Sequence, residues 1–207
     1  MKSNTLGFWM AMASLLILLG IELLYHYDSW SRQLALSLTN VLGGGGFAVL
    51  WKVLRRKGIE LHWLSAIFIA AAIWFDAMGN FLFLYRDLLW WDRVSHLVGS
   101  IAPAFVISTI LLQLRTAGRI VSPSWWMNFS ALASAMLLSV LYEISEYLGD
   151  LWLPTHRVTD VFDTPDDLLW NLIGAAIGIF VSRVIYSQTH RKNTFDRIGK
   201  NSYSKSL

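Results

Sequence analysis

The stretch Trp91-Asp92-Arg93-Val94-Ser95-His96 runs directly into Leu97–Leu114, a segment with no charged side chain. As an α-helix that segment rises roughly 27 Å, close to the thickness of a bilayer's hydrocarbon core. The stretch therefore predicts a membrane helix with an acid and an imidazole at its mouth. Asp92 and His96 stand four residues apart, so one helix face carries both.

Working outward, five more segments are long and apolar enough to cross a bilayer: Gly7–Tyr25, Leu34–Val53, Leu61–Tyr85, Trp125–Trp152 and Leu168–Tyr186. The third carries Asp76 and Asn80, and the fifth ends in Glu143, Glu146 and Asp150. The predicted fold class is all-α, a polytopic bundle of six membrane helices. It forms one domain over residues 1–187, with a basic, disordered cytoplasmic tail over 188–207. The first apolar run exceeds the usual h-region and lacks a small-residue cleavage site after it, so it reads as a retained span.

Composition agrees. Of 207 residues, 55% are hydrophobic and only 15% charged, against about 25% charged in soluble domains. Mean hydropathy is +0.47. With no Cys, disulfide scaffolds, thiolate metal sites and cysteine nucleophiles are excluded. The 29 aromatic residues, 11 of them Trp, argue against disorder, and no repeat of 20–50 residues suggests a solenoid. All but one of the Trp fall near predicted span ends, where amphipathic rings favour headgroup depth; Trp74 is the mid-span exception.

Charge sets the expected orientation. Of the 17 Lys and Arg, 13 fall on the face holding both termini, and only Arg32, Arg86, Arg93 and Arg157 fall on the other. The positive-inside rule then places both termini in the cytoplasm. Glu60 and Asp196 are the only acids on that inner face, and 12 acids lie on the outer side. The basic face is read as lipid-headgroup contact, not nucleic-acid binding.

Chemistry concentrates on the acid-rich side. Glu143 and Glu146 are three apart and share a face; Asp167 and Asn171, and Asp76 and Asn80, are four apart and do the same. Thr164 suits an N-cap, Pro165 the first helical position, and Asp166 and Asp167 the positive helix end. Asp160, Asp163 and Asp166 also read as solvated or dipole-matched acids. Asp28, Asp87 and Asp150 read as interfacial groups, and His26, His62, His156 and His190 as headgroup-level or tail residues. The run Gly43–Gly46 reads as a close-packing surface, a flexible break or a groove for a lipid chain. Asp76, Asp92, His96, Glu143, Glu146 and Asp167 resist the bland reading, because an ionisable group in hydrocarbon costs roughly 2.5–3.5 kcal/mol on insertion scales. The outer acids outnumber the outer bases three to one. Arg93 or Arg157 would serve as counter-ion in a structural network, but the excess calls for protons or a bound cation. Asp92, His96, Glu143 and Asp167 are the expected catalytic or metal-holding groups, with Glu146, Asp163, Asn171 and Asp76 in support. Carboxylates with one imidazole suit Mg²⁺, Mn²⁺ or Zn²⁺.

Three motifs resemble a known group. Trp91-Asp92-Arg93-Val94-Ser95-His96 is similar to the aromatic-Asp-x-x-x-His motif of VanZ-like and YjdF-like membrane proteins. Tyr142-Glu143-Ile144-Ser145-Glu146 resembles their Tyr-Glu-x-x-Glu element. Asp163-Thr164-Pro165-Asp166-Asp167 through Asn171 and Gly174 resembles their Asp-x-x-x-Asp-x-x-x-Asn-x-x-Gly ending. The YjdF-like pattern is the nearer, with Thr159-Asp160 where that pattern has Gly-Asp. The resemblance implies a multi-pass protein of the bacterial inner membrane.

Three functions are compatible with these residues. One is a membrane enzyme acting at the outer face on a lipid or lipid-linked substrate, with the carboxylates and His96 holding a cation or moving protons. Another is a non-catalytic envelope protein whose polar network fixes helix packing. The third is a small proton-coupled transporter with Asp76 in its relay. Convergence of Asp92, His96, Glu143 and Asp167 favours the first, full salt-bridging without a cavity the second, and a polar path inward past Asp76 the third.

Overall fold

A computed structural model describes residues 2–25, 30–88, 90–153, 157 and 161–203, with side chains over 4–188 of these. The expectations for His26, Asp28, His156, Thr159, Asp160 and the His190 side chain lie outside the described residues. The described residues are mostly helical, joined by short turns and loops, and include no strand. Six of its helices are long and apolar enough to cross a membrane.

Helix α1 is Lys2–Leu24. The second span is continuous over Trp30–Arg56. It consists of α2 (Trp30–Asn40), a π-helical turn (Val41–Gly45) and α3 (Gly46–Arg56). The glycine run is thus absorbed in the helix as a wide turn, not a break. It also admits α1: a Cβ on Gly44 would sit 2.8 Å from Leu15 Cδ1. The third span, α4, covers Trp63–Phe81 and is shorter than the Leu61–Tyr85 expected. The chain turns at Leu82-Phe83, where Phe83 adopts φ 57°, and the short α5 (Leu84–Asp87) sends Tyr85 back toward Asp76. Satisfying that buried carboxylate takes precedence over extending an apolar helix.

Helix α6 is Trp91–Thr116, so the motif ahead of Leu97 is itself helical. Helix α7 is Ser124–Trp152 and α8 is Asp163–Tyr203. Helix α8 begins one residue before the expected Thr164 cap. Asp166 N–H donates to Phe162 O at 3.0 Å. Pro165 still falls in the first turn, where a missing N–H leaves no intrahelical bond unmade.

Helix α6 is the centre, flanked by α4, α7 and α8, while α1 lies on α4. Two kinds of packing hold this arrangement. Around α1, α3 and α4 the core is large and aromatic: Phe8, Leu18, Phe47, Trp51 and Leu61 are buried, and the Phe8 and Trp51 rings stack at 4.6 Å. Between α6, α7 and α8 the core is small: Ala104, Ala131, Ala135 and Ala175 are all fully buried. Gly174 and Gly178 set the closest approach, since added Cβ atoms would lie 2.2 Å from Leu97 O and 2.5 Å from Ile101 O. Small residues let backbones meet where lipid gives no hydrophobic drive. That contact fixes α8 against the first turns of α6, which carry Asp92 and His96.

Candidate functional site

His96 is the hub. Asp92, one turn earlier on α6, places Oδ1 3.5 Å from His96 Nε2, and Asp167 of α8 places Oδ1 3.4 Å from the same nitrogen. On the opposite ring edge, Glu143 Oε1 of α7 lies 3.5 Å from Nδ1, and the Asn171 amide nitrogen 3.3 Å from it. The four expected principal residues therefore come together from three helices. Their roles are unequal: the two aspartates share the Nε2 edge, and Glu143 stands at the Nδ1 edge. One ligand atom each from Asp92, His96 and Asp167 lies within 4.8 Å of the others, and the same holds for His96, Glu143 and Glu146.

Burial gives these groups their energetic weight. Asp167 is 2% exposed and Glu143 5%. Glu143 Oε1 has no hydrogen-bond partner among the described residues. The contacts around His96, at 3.4–3.5 Å, exceed the roughly 2.7–2.9 Å of a formed charge-assisted hydrogen bond.

A second group sits beside the first and is closed. The Arg157 guanidinium reaches Asp76 Oδ1 at 2.8 Å and Glu146 Oε1 at 3.0 Å. It lies over the Tyr142 ring at 5.6 Å, and its backbone N–H donates to Asp150 at 2.9 Å. Tyr85 donates its hydroxyl to Asp76 Oδ1 at 3.1 Å, and the Asn80 amide adds a contact at 3.3 Å. Burial by itself weakens the guanidinium's hold on its proton. Asp76, Tyr142 and Glu146 outweigh it and keep Arg157 charged, above the ordinary range. Burial, reinforced by Asp76, pushes the Tyr85 phenol well up. Of the two expected counter-ions, Arg157 is the buried one. Arg93 pairs with Asp166 at 2.7 Å on the surface, which gives Asp166 a partner besides the helix end.

Both groups border one cavity of about 1080 Å³. Asp92, His96, Asp76, Glu146 and Asp163 line its polar end, and Gly99, Pro103 and Leu138 continue it between the helices.

Glu22, an acid inside the first expected span, belongs to neither group. It is fully buried, and its Oε2 accepts from Asn40 Nδ2 at 3.2 Å. Two polar residues in adjacent apolar spans were the available signal. Tyr85 was missed because it lay inside an expected span.

An uncharacterised protein of Thermotoga maritima is 34% identical over 104 residues, which cover 48% of this chain and 50% of that protein. The chain thus matches about half the length of this curated relative. No solved structure matches. Residues 4–192 match the family model described as Predicted membrane protein (DUF2238). That match covers nearly the whole bundle, including every group around His96 and Arg157, and the chain belongs to this family of multi-pass membrane proteins.

Proposed function

We propose that this protein is a membrane enzyme whose His96 centre holds a divalent cation and works on a lipid or lipid-linked envelope substrate. The observation that carries the reading is the arrangement around one imidazole. Two aspartates face Nε2, and a buried glutamate oxygen without a hydrogen bond faces Nδ1. Around this hub stand Asp92, Glu143 and Asp167, three acids to one imidazole, an excess that calls for protons or a bound cation. Arg157 is already engaged by Asp76 and Glu146. A cation at the Nε2 edge, bound by Asp92, His96 and Asp167, would supply the missing charge and could polarise a substrate oxygen or bound water. Mn²⁺, Mg²⁺ and Zn²⁺ suit this donor set.

In that arrangement Glu143 holds the imidazole. A ligating histidine gives its other N–H to a carboxylate, which fixes the ring and raises its basicity. The Asn171 amide tightens the same edge. Glu146, whose partner is Arg157, is a neighbouring proton acceptor at the cavity wall. The cavity's continuation between helices supports an amphiphilic substrate.

The charge polarity of the loops supports an N-in, C-in topology in a bacterial inner membrane, and with it a centre that opens to the outer face. The motif order supports kinship with YjdF-like and, more distantly, VanZ-like proteins. The closed Arg157 group gives the non-catalytic reading its best support, as a clamp between α4 and α7.

Metal analysis tests the centre. Purified protein equilibrated with Mg²⁺, Mn²⁺ or Zn²⁺ and then desalted is expected to retain about one equivalent of one ion. His96→Ala and Asp92→Asn should each lose it. Equal metal content in wild type and both variants would refute the assignment.

A further inference from the structure

The acid-rich end of the bundle has few basic residues: Arg32, Arg86, Arg93 and Arg157. All four line the same cavity. Loop charge statistics disfavour cations at this end, so their gathering at one opening needs a local cause. All are Arg and none is Lys. A planar guanidinium presents paired N–H donors that match two oxygens of a phosphate. Arg157 is committed to Asp76 and Glu146. Arg86 and Arg93 are engaged at the surface by Asp87 and Asp166, with side chains 71% and 52% exposed. Exposed pairs of this kind are worth little and exchange readily for a doubly charged ligand.

The other end of the cavity has a different chemistry. Below His96 its wall passes to Gly99, Pro103, Ile73, Leu138 and Ser139. Helices α4 and α7 both lean on α6 without an extended contact with each other, so the cavity lies in a cleft floored by α6. A Cβ added to Gly99 meets nothing within 4 Å. Open, mostly apolar space thus runs along the helices from a rim of arginines toward the bilayer's middle.

We propose that this cavity binds a lipid phosphate. The phosphate ester head is held by Arg32, Arg86 and Arg93, and the alkyl chain lies in the cleft between α4 and α7. The proposal rests on the preceding reading in that it sets the head beside the His96 centre and names the substrate class. The chain keeps the depth and direction it has in a membrane, so binding does not lift it into water. The acids around His96 repel a bare phosphate, and a cation at that centre would turn repulsion into attraction.

The experiment uses the full chain in detergent and follows thermal unfolding with three probes. These are lysophosphatidic acid, a monoacylglycerol of the same chain length, and inorganic phosphate. Lysophosphatidic acid is expected to raise the midpoint by about 3 °C or more at saturating concentration. The other two should shift it by less than a third of that. An equal shift with the monoacylglycerol would leave only chain adsorption, and an equal shift with inorganic phosphate a free-anion site. Either would overturn the proposal, as would no shift with any probe. The paired change Arg32→Gln and Arg93→Gln should weaken lysophosphatidic acid binding about tenfold. Gly99→Leu fills open space in the cleft and should weaken binding similarly while the unliganded midpoint stays unchanged. Unaltered binding in Gly99→Leu would overturn the chain's placement even if the arginine variant fails to fold. Divalent-ion stabilisation in wild type without a lipid phosphate response would defeat this proposal and leave the His96 centre standing. A lipid phosphate response without any ion response would do the reverse.

Discussion

Two groups of ionisable side chains lie side by side in this bundle: in one, two carboxylates close on a guanidinium at short range, and in the other, three carboxylates stand loosely around an imidazole. Asp76 and Glu146 share Arg157 at 2.8 and 3.0 Å, with Tyr85 and Asn80 filling further contacts. Asp92, Glu143 and Asp167 share only an imidazole, at 3.4–3.5 Å, and one buried carboxylate oxygen has no hydrogen bond. The same residue types at the same end of the bundle thus give a short-contact ion network and a loose one with a larger excess of acids. The closed group has the character of a structural clamp. The open group has the character proposed for a site, because its excess of carboxylates calls for protons or a bound cation.

The comparison can be broken by exchanging charge for neutrality on each side. The largest effect is expected at Arg157. Arg157→Met strands Asp76 and Glu146 without their cation and should cost about 3–5 kcal/mol, read as a lower unfolding midpoint or lost expression. Next is Gly174→Ala, whose methyl group would meet Leu97 O at 2.2 Å. Pushing α8 off α6 should cost about 1–3 kcal/mol. It should also carry Asp167 and Asn171 away from His96, abolishing an ion response while the Arg157 clamp between α4 and α7 survives. Glu143→Gln is expected to act with the opposite sign. Removing one carboxylate from the group with the larger excess of acids should raise the ion-free midpoint by an amount worth about 1 kcal/mol, read in chelator by calorimetry. A fall as large as that of Arg157→Met would erase the distinction between the groups.

The smallest prediction is a control at the other end. His62 caps α4, its Nδ1 accepting from Leu64 N–H at 3.3 Å, and burial lowers its pKa from 6.5. The unfolded chain then binds this proton more readily than the folded one. Stability from this residue is fully present above about pH 6.5 and declines as pH falls below it. His62→Asn keeps a cap that does not titrate and should remove that part of the acid sensitivity, read as a smaller fall in the unfolding midpoint on acidification.

Six membrane helices were legible because apolar runs of this length have few other uses. The gathering of Asp92, His96, Glu143 and Asp167 was legible from helical spacing together with the cost of placing such groups near lipid. The division of those groups into open and closed sets was not. It depends on Arg157 reaching back from a loop, and residue order alone does not say where a loop arginine ends. Tyr85 was hidden for a related reason: Phe83 takes a left-handed conformation without the Gly or Asn that would announce a turn. Glu22 and Asn40 meet across the first two spans, and neither has a partner at helical spacing that would reveal it. Local periodicity places side chains on a face; the pairing of faces is set by Gly174 and Gly178, where α8 meets the α6 backbone, and by Gly44, which admits the Leu15 side chain.

The central claim is that the open group binds a divalent cation. Its most direct test is a thermal unfolding series on wild type and Asp167→Asn, with chelator, millimolar Mg²⁺, and micromolar Mn²⁺ or Zn²⁺. A ligand that binds only the folded state must stabilise it. Wild type is expected to rise by about 3–6 °C with at least one ion, corresponding to roughly tenfold excess over the dissociation constant, and Asp167→Asn to stay flat. No rise in wild type with any of the three ions, or an equal rise in both proteins, would contradict the account.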